Sequence, residues 1–385
     1  MDNRVFDGGP PIGLEVWLRL RKRGDGRYLR FALGAVAITW LPLLVLSSTP
    51  ATLLHWPTAG SFIADIAVHA RYLLAVPLLI FAEATCIPQL GLIAQHFLDA
   101  DIVIEAERGQ FGAALVSTRK WRDSWIAECA VIACAYLIVL SVSFSESQRL
   151  PEWMLAAGHG ASRFSPAGWW HQLVSLPALL MLLFGWIWRL FLWARLLWLV
   201  SRLNLHLLAV HPDRAAGLMF VGYSVRAWAL PASAPGVIVA GTLANQLVYY
   251  GASLASFQFV IAGVVITLVL LCIAPLVVFS MNLVATWRTA VLQYGALAER
   301  VGHRFERDWF ANPQEFFADP METPSFSATT DLYQVVSNVY AMRVLPVDLV
   351  STVYLALGVL LPFLPLVVIS QPLGFMLQKL AGFLL

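Results

Sequence analysis

Residues 171–200 read HQLVSLPALLMLLFGWIWRLFLWARLLWLV and contain only two formal charges, those of Arg189 and Arg195. The hydrocarbon core of a bilayer is about 30 Å thick, and about 20 apolar residues of helix cross it. Thirty residues of helix are about 45 Å long, because each residue adds about 1.5 Å. The segment therefore predicts a membrane-spanning helix whose arginine-bearing half continues beyond the bilayer boundary.

Six further apolar segments of suitable length occur along the chain. Together with residues 171–200 they predict an all-α fold, a polytopic transmembrane helical bundle of about seven spans. The stretch 61–69 is too short to span and is expected to form a helical lead-in. The first run is expected to remain as an anchor, because residues 1–30 precede it and no small-residue cleavage site follows. The six segments are 31–48, 70–90, 125–144, 227–250, 257–285 and 349–370.

The composition of the 385 residues excludes several classes of protein. With 59% hydrophobic and 12% charged residues, the chain has too much apolar surface for a soluble globular enzyme. A formal net charge of +2 argues against a nucleic-acid partner. The four cysteines lie in apolar stretches without CxxC spacing, which indicates neither a disulfide framework nor a zinc site. We expect no metal and no cofactor.

The positions of the basic residues predict the orientation in the membrane. Nineteen of the 25 lysines and arginines fall in the N-terminal segment, the loops after spans two and four, and the connection after span six. Only Arg149, Arg163 and Lys379 fall in the other loops. Because cytoplasmic loops retain positive charge, this asymmetry predicts a bacterial inner-membrane protein with a cytoplasmic N-terminus. An odd number of spans places the C-terminus on the outer side.

The pattern divides the chain into four regions. The N-terminal region contains GLEVWLRLRKR (13–23), which is typical of an amphipathic helix lying on an anionic leaflet or of a charged topology signal. The connection after span six contains two helix-like runs around a proline-rich break. The regions are the cytoplasmic segment 1–30, the six-span membrane region 31–286, the cytoplasmic helical segment 287–348, and the seventh span with an interfacial tail, 349–385.

Ionisable residues within spans are costly in lipid and are candidates for function. Glu83 and Glu128 lie at similar depths in spans two and three, where either can meet an arginine of span four, Arg189 or Arg195. We expect Glu128 and Arg195 to form a gating or structural pair. A structural salt-bridge cluster and a proton or ion pathway are both compatible with these positions.

Span five combines small residues at helical spacing with two prolines and three polar residues. A stripe of small residues lets helices approach closely, which favours ordinary packing or a contact between copies of the chain. A proline-broken helix can also expose backbone carbonyls to a cavity. We therefore take Thr242, Asn245 and Gln246 as candidate pore-lining residues. The small residues are Ala229, Ser233, Gly236, Ala240 and Ala244.

The loop after span four contains HPDRAAGL (211–218), with His211, Asp213 and Arg214 close together. Two histidines five residues apart, His206 and His211, are a weak metal-ligand set, because this spacing does not place both rings on one helix face. A turn in which Asp213 caps a new helix is the favoured interpretation. No catalytic sequence motif occurs, so we do not expect an enzyme. A membrane-embedded enzyme with its site around His211 is kept as an alternative, ranked after the two hypotheses given below.

Several strings resemble a family of uncharacterised bacterial multi-pass inner-membrane proteins with an HPDRAGGL-type loop. They are HARYLLAVPLLIFAE (69–83), RKWRDSWIAE (119–128), AGWWHQLVSLP (167–177), WRLFLWARLLWLVSRLNLHL (188–207), HPDRAAGLMFVG (211–222) and TTDLYQVVSNVYAMRVLPVD (329–348). The chain departs from the family at Ala216, where the loop has glycine, and at 328–336, where ATTDLYQVV stands for a string closer to ADIQSLADL. The resemblance implies the membrane architecture and leaves the activity open.

From these features we expect a channel or transporter for ions or small solutes, surrounded by the lipid bilayer. The small residues of span five would allow it to form a homo-oligomer. The alternative is a non-transporting scaffold or envelope-signalling component. In that case a soluble partner is recruited through residues 287–348.

Overall fold

The computed structural model describes residues 6, 8–10, 28–48, 57–145, 150–155, 164–310 and 324–370. The secondary structure of this part is helical, apart from two isolated bridges, Val103 with Leu205 and Leu155 with Phe164. The α-helices are α1 (Tyr28–Thr39), α2 (Leu41–Ser47), α3 (Pro57–Ala64), α4 (Ile66–His69), α5 (Val76–Asp99), α6 (Arg108–Arg122), α7 (Trp125–Ser145), α8 (Pro166–Trp170), α9 (Leu176–Ser201), α10 (Met219–Gly222), α11 (Ser224–Ala227), α12 (Ala229–Tyr250), α13 (Gln258–Ile273), α14 (Ser280–Phe310), α15 (Pro324–Tyr340), α16 (Leu349–Leu360) and α17 (Leu364–Ser370).

Six continuous helical stretches of the described part are long and apolar enough to cross a membrane, and a seventh is formed by α6 and α7, which meet at 45°. The predicted fold class is therefore confirmed. We number the spans in chain order, with α6 and α7 as span three. The six continuous stretches are Tyr28–Ser47, Ile66–Asp99, Pro166–Ser201, Met219–Tyr250, Leu254–Arg307 and Leu349–Ser370.

Four of the spans change their helical winding near a proline. In span two a π-helical segment, Ala70–Ala75, ends two residues before Pro77, and in span four a second one, His171–Ser175, ends two residues before Pro177. The 3₁₀ segments Ala274–Phe279 and Leu361–Phe363 each contain a proline near their start. Proline lacks an N–H and clashes with the carbonyl four residues earlier, so the preceding turn widens or tightens.

The small residues of span five face other helices of the same chain. A methyl group at Gly241 would lie 2.4 Å from Cβ of Ala70, and one at Gly236 would lie 2.8 Å from the carbonyl oxygen of Val359. Gly236 belongs to the predicted stripe and Gly241 lies beside it; Ala240 and Ala244 of the stripe are buried in one cluster with Phe363 and Leu366 of span seven. The stripe is therefore packed within this chain and is not free to join two copies, contrary to our expectation for a homo-oligomer contact.

The two ends of the bundle differ in character. The basic end carries α6, the HPDRAAGL loop, the C-terminal half of α14, and α15; the opposite end carries α3, Trp153 and the turn after α12. Helix α14 continues without interruption from Ser280 to Phe310, so the expected boundary at residue 287 falls inside a helix. The predicted amphipathic helix at residues 13–23 and the tail 371–385 lie outside the described residues.

Helices α14 and α15 form an antiparallel hairpin at the basic end. The hydroxyl of Tyr340 lies over Gly295 and that of Tyr333 over Gly302, so that a methyl group at these glycines would meet the hydroxyl oxygens at 3.0 and 2.8 Å. Both glycines and both tyrosines are seven residues apart, which places each pair on one face of its helix. The second helix-like run expected after span six is thus helical and packs on the first.

Candidate functional site

The two π-helical segments bring Tyr72 and His171 together near the opposite end of the bundle. Their ring centroids lie 5.9 Å apart in an edge-to-face arrangement, and the indole of Trp153 packs edge-on against the same imidazole at 5.6 Å. Tyr72 is 0% and His171 3% exposed. A buried aromatic cluster with two polar heads therefore lies between spans two and four.

Several polar atoms of this cluster have no hydrogen-bond partner within the described part of the chain. They are the Tyr72 hydroxyl, both ring nitrogens of His171, and Oε1 of the adjacent Gln172. A buried polar group without a partner costs about 1–3 kcal/mol, and most such groups in proteins are paired. We call Tyr72, His171 and Gln172 the π-segment cluster. Its atoms can exchange hydrogen bonds with a small polar species.

Tyr72, His171 and Gln172 are not among the residues predicted from the sequence. The available signal was a polar residue in an apolar run, a few positions before a proline, in spans two and four. Because prolines are frequent in membrane helices, that signal alone does not separate a site from ordinary packing.

Asn245 has a different neighbourhood from the one expected for a pore-lining residue. Its Nδ2 donates to Oδ1 of Asp65 at 2.8 Å, and its Oδ1 accepts the backbone N–H of Ile66 at 2.9 Å. Asp65 also accepts from Nε1 of Trp153 at 3.0 Å and from the backbone N–H of Val68. Asn245 thus fastens span five to the start of span two.

The other two residues proposed to line a pore do not join Asn245 at a common cavity. The exposed Thr242 donates to the carbonyl of Ile238 in its own helix, and the backbone carbonyl of Gln246 accepts from Gly251 and Ala252 at the end of α12. A groove of about 970 Å³ lies between spans six and seven, in the half of the bundle away from the basic end. None of the three residues lines this groove.

Glu83 and Arg189 form a buried ion pair between spans two and four. This is one of the glutamate–arginine combinations that the sequence left open. The Arg189 guanidinium also lies 5.0 Å from the ring of Trp186, whose Nε1 donates to the carbonyl of Leu79 at 2.9 Å. The ion pair links the two spans, and each charge offsets part of the free-energy cost of burying the other.

The expected pair of Glu128 with Arg195 is wrong. Arg195 donates instead to Oγ of Ser117 at 2.8 Å and to Oγ1 of Thr118 at 3.3 Å, and its guanidinium lies 5.2 Å from the ring of Trp121. The cause is the bend between α6 and α7, which lays α6 along span four and places hydroxyls and an indole at the depth of Arg195.

The HPDRAAGL loop folds around the carboxylate of Asp213. This carboxylate accepts the backbone N–H groups of Ala215 at 2.8 Å, Gly217 at 3.2 Å and Met219 at 3.1 Å. Burial acts to raise the pKa of Asp213, but these hydrogen bonds and that from His211 outweigh it, and the pKa is lowered. A turn forms around Asp213 and its carboxylate accepts the N–H of Met219, the first residue of α10, but the N-cap position of this helix is Leu218, which makes no side-chain cap.

The loop is attached to the connection between α15 and α16. The carbonyl of Arg214 accepts the backbone N–H of Arg343 at 2.7 Å, and Arg226 donates to Asp348 at 3.0 Å and to Ser351 at 2.7 Å. Within the described residues, no group of three histidine, cysteine, aspartate or glutamate side chains is placed to hold a metal ion. The arrangement of His211, Asp213 and Arg214 is that of a structural joint.

The chain matches no protein-family model, no curated protein and no solved structure. A hydroxyl, an imidazole and an amide oxygen that lack partners in an apolar setting can bind water or a small polar solute.

Proposed function

We propose that this protein is a transporter of ions or small polar solutes in the bacterial inner membrane, with its basic end in the cytoplasm. The π-segment cluster carries the proposal, because its unpartnered polar atoms lie in two facing, non-α-helical segments of adjacent spans. Wide helical turns occur frequently at functional sites, and polar groups within a membrane mark substrate pathways.

The burial of the cluster favours a carrier over a permanently open channel. Tyr72, His171 and Gln172 are each at most 4% exposed, so a solute reaches them only after the spans move. The proline-associated breaks in spans two and four are suited to such movement, because a widened turn has lost part of its regular hydrogen-bond ladder. Interrupted helices near a binding site are a recurrent feature of carriers.

The basic-end assignment follows from the distribution of lysine and arginine. Nineteen of these residues belong to segments that the span order places at one end, against three at the other. The excess of positive charge on the cytoplasmic side of inner-membrane proteins supports a cytoplasmic N-terminus.

The test is flux of protons, potassium and chloride into vesicles that contain the purified protein, with Tyr72→Phe, His171→Phe and Tyr354→Phe beside it. Tyr72→Phe removes only the buried hydroxyl, whereas Tyr354→Phe removes the hydroxyl of an exposed tyrosine in span seven. We expect flux by the parent protein, a reduction of about tenfold or more in the two cluster variants, and no change in the control. Vesicles without flux would refute transport of these three ions, and equal rates in all four proteins would refute the role of the π-segment cluster.

A second candidate function rests on the hairpin of α14 and α15. Helix α14 ends a helical stretch, Leu254–Arg307, whose 54 residues far exceed the about 20 that cross a bilayer. Its surface exposes Leu292, Arg300 and Phe310. Apolar and basic groups together on an exposed helix suit contact with another protein. On this alternative the protein is a scaffold that recruits a soluble partner.

The scaffold hypothesis is tested by photo-cross-linking in cells from position 292 on the hairpin and from position 357 in span seven. Leu292 and Leu357 are both strongly exposed, but only the first belongs to the hairpin. One adduct of defined mass, formed in an amount comparable to that of the protein and from position 292 but not from position 357, would favour the scaffold over the transporter if the vesicles also show no flux.

A further inference from the structure

Span four carries a row of aromatic and basic residues on one face of its basic-end half. Trp188, Phe191, Arg195, Trp198 and Arg202 are separated by three, four, three and four positions, which places them on a single helix face. Helix α6 lies along this face and adds Ser117 and Trp121. We call this set of seven residues the arginine–aromatic face.

The aromatic rings of this face form a connected surface that is partly open to the surroundings of the bundle. Trp121 stacks on Trp188 with centroids 6.2 Å apart, and both rings contact Phe191, at 6.3 and 5.1 Å. Trp121, Phe191 and Trp198 are each close to half exposed. Indole rings at this depth are typical of the membrane interface, where an amphipathic ring meets headgroups and acyl chains.

The two arginines of the face have no carboxylate partner among the described residues. Arg195 is held by two hydroxyls and stacks on Trp121, while Arg202 stacks on Trp198 at 4.2 Å. Stacking positions a guanidinium without neutralising it, so both positive charges remain available to an anion. Lys120, at the exposed end of α6, lies one turn from Ser117 and adds a third cation.

The depth of these charges agrees with that of lipid phosphates. The helical stretch Pro166–Ser201 has 36 residues, about 54 Å of helix, against a hydrocarbon core of about 30 Å. Its last turns therefore lie in the headgroup layer. Arg195 and Arg202 are seven residues apart, or about 10 Å along the axis, so that together they cover this layer.

We propose that the arginine–aromatic face binds an anionic phospholipid of the leaflet at the basic end. The guanidinium groups of Arg195 and Arg202 donate hydrogen bonds to the phosphate, and the lipid chains lie along Trp188 and Phe191. The phosphate that every phospholipid carries matches the planar donor geometry of the guanidinium groups. Charge complementarity selects an anionic lipid, because the cation of a zwitterionic headgroup already balances its own phosphate and would leave the charges of the two arginines uncompensated. The site is separate from the π-segment cluster and does not depend on transport.

The experiment is native mass spectrometry of the full chain in a neutral detergent, titrated with phosphatidylglycerol, phosphatidylcholine or inorganic phosphate. The variants are Arg195→Gln and Arg202→Gln, and the control is Arg288→Gln, an exposed arginine on α14, a helix that contributes none of the seven residues of the face. Each basic residue contributes about 1 kcal/mol to the binding of an anionic lipid, which corresponds to about fivefold in affinity. We expect one phosphatidylglycerol bound in preference to phosphatidylcholine, and about fivefold weaker binding in either variant but not in the control.

Three results would overturn the proposal. Equal binding of both lipids by the parent protein would show that charge is not recognised. An equal loss in Arg288→Gln would show that binding depends on total charge and not on this face. Displacement of phosphatidylglycerol by inorganic phosphate would show a site for the free anion. If Arg195→Gln fails to fold, judged by its thermal unfolding, Arg202→Gln decides, because the exposed Arg202 side chain contacts Trp198 and makes no hydrogen bond within the described segments.

Discussion

The rings of Tyr72 and His171 pack edge-to-face with centroids 5.9 Å apart, although the two residues belong to different spans. Each lies in a π-helical segment, Tyr72 five residues before Pro77 and His171 six residues before Pro177. This relationship joins a local effect of sequence to a tertiary contact. A proline widens the preceding turn, and the wide turns of two spans pack together with polar groups between them.

Asn245→Leu should destabilise the fold, because it leaves Oδ1 of Asp65 with one donor fewer and the N–H of Ile66 unpaired. We expect a loss of about 2–4 kcal/mol in the free energy of unfolding, measured in mixed micelles. Thr242→Val is the matched control, because exposed Thr242 bonds only within its own helix, and it should change the stability by less than about 0.5 kcal/mol. Equal effects of the two substitutions would contradict the role of Asn245 as a fastening between spans.

Removing one member of the Glu83–Arg189 pair should cost about 3–5 kcal/mol of stability, because the remaining buried charge then loses the opposite charge beside it. Glu83→Gln and Arg189→Met each test this. The double variant should lose less than the sum of the two single losses, since it leaves no uncompensated charge. Additive losses in this cycle would mean that the two side chains do not interact.

Gly241→Ala should destabilise the bundle by about 1–3 kcal/mol, because the added methyl group would lie 2.4 Å from Cβ of Ala70. Gly263→Ala is the control within a helix, since a methyl group there meets no atom within 4 Å. It should be neutral or raise the stability by up to about 1 kcal/mol through helix propensity. A tolerated Gly241→Ala would show that spans two and five are further apart than described.

Ala216→Gly should stabilise the HPDRAAGL loop. Ala216 has φ +54°, a left-handed conformation that costs a residue with a side chain about 1–2 kcal/mol and costs glycine nothing. Part of this gain is lost to the greater freedom of glycine in the unfolded chain, so we expect about 0.5–1 kcal/mol. Ala215→Gly, at a buried position without positive φ, should destabilise instead, and thermal unfolding of the pair should show opposite signs.

The stability of the loop should fall in acid because of Asp213. Its pKa is lower in the folded chain than the usual value near 4, so the ionised carboxylate stabilises the fold above that value. This stabilisation is lost as the pH falls below about 4 and through the folded pKa. Asp213→Asn should therefore be less stable than the parent at neutral pH, and the gap should narrow in acid; a gap independent of pH would contradict this account.

The candidate sites show how far sequence reasoning reached. The depth of Glu83 predicted an arginine of span four as its partner, but the choice of Arg189 over Arg195 could not be made from the sequence, because both arginines lie in that span. Arg195 was assigned the wrong partner, because the angle between α6 and α7 is not encoded in hydropathy. Asn245 was polar for a reason that lies at Asp65, far away in the chain.

The sequence by itself determined the helical class, the approximate limits of the spans and the unequal distribution of charge between the two ends. It could do so because a bilayer forces every spanning backbone into regular hydrogen bonds and every span to a similar length, so that composition and spacing suffice. Tertiary structure alone decided which polar groups are paired with one another and which remain unpartnered. Those outcomes depend on the angles and rotations of packed helices, and these are set by contacts such as Gly241 against Ala70 between residues remote in the chain.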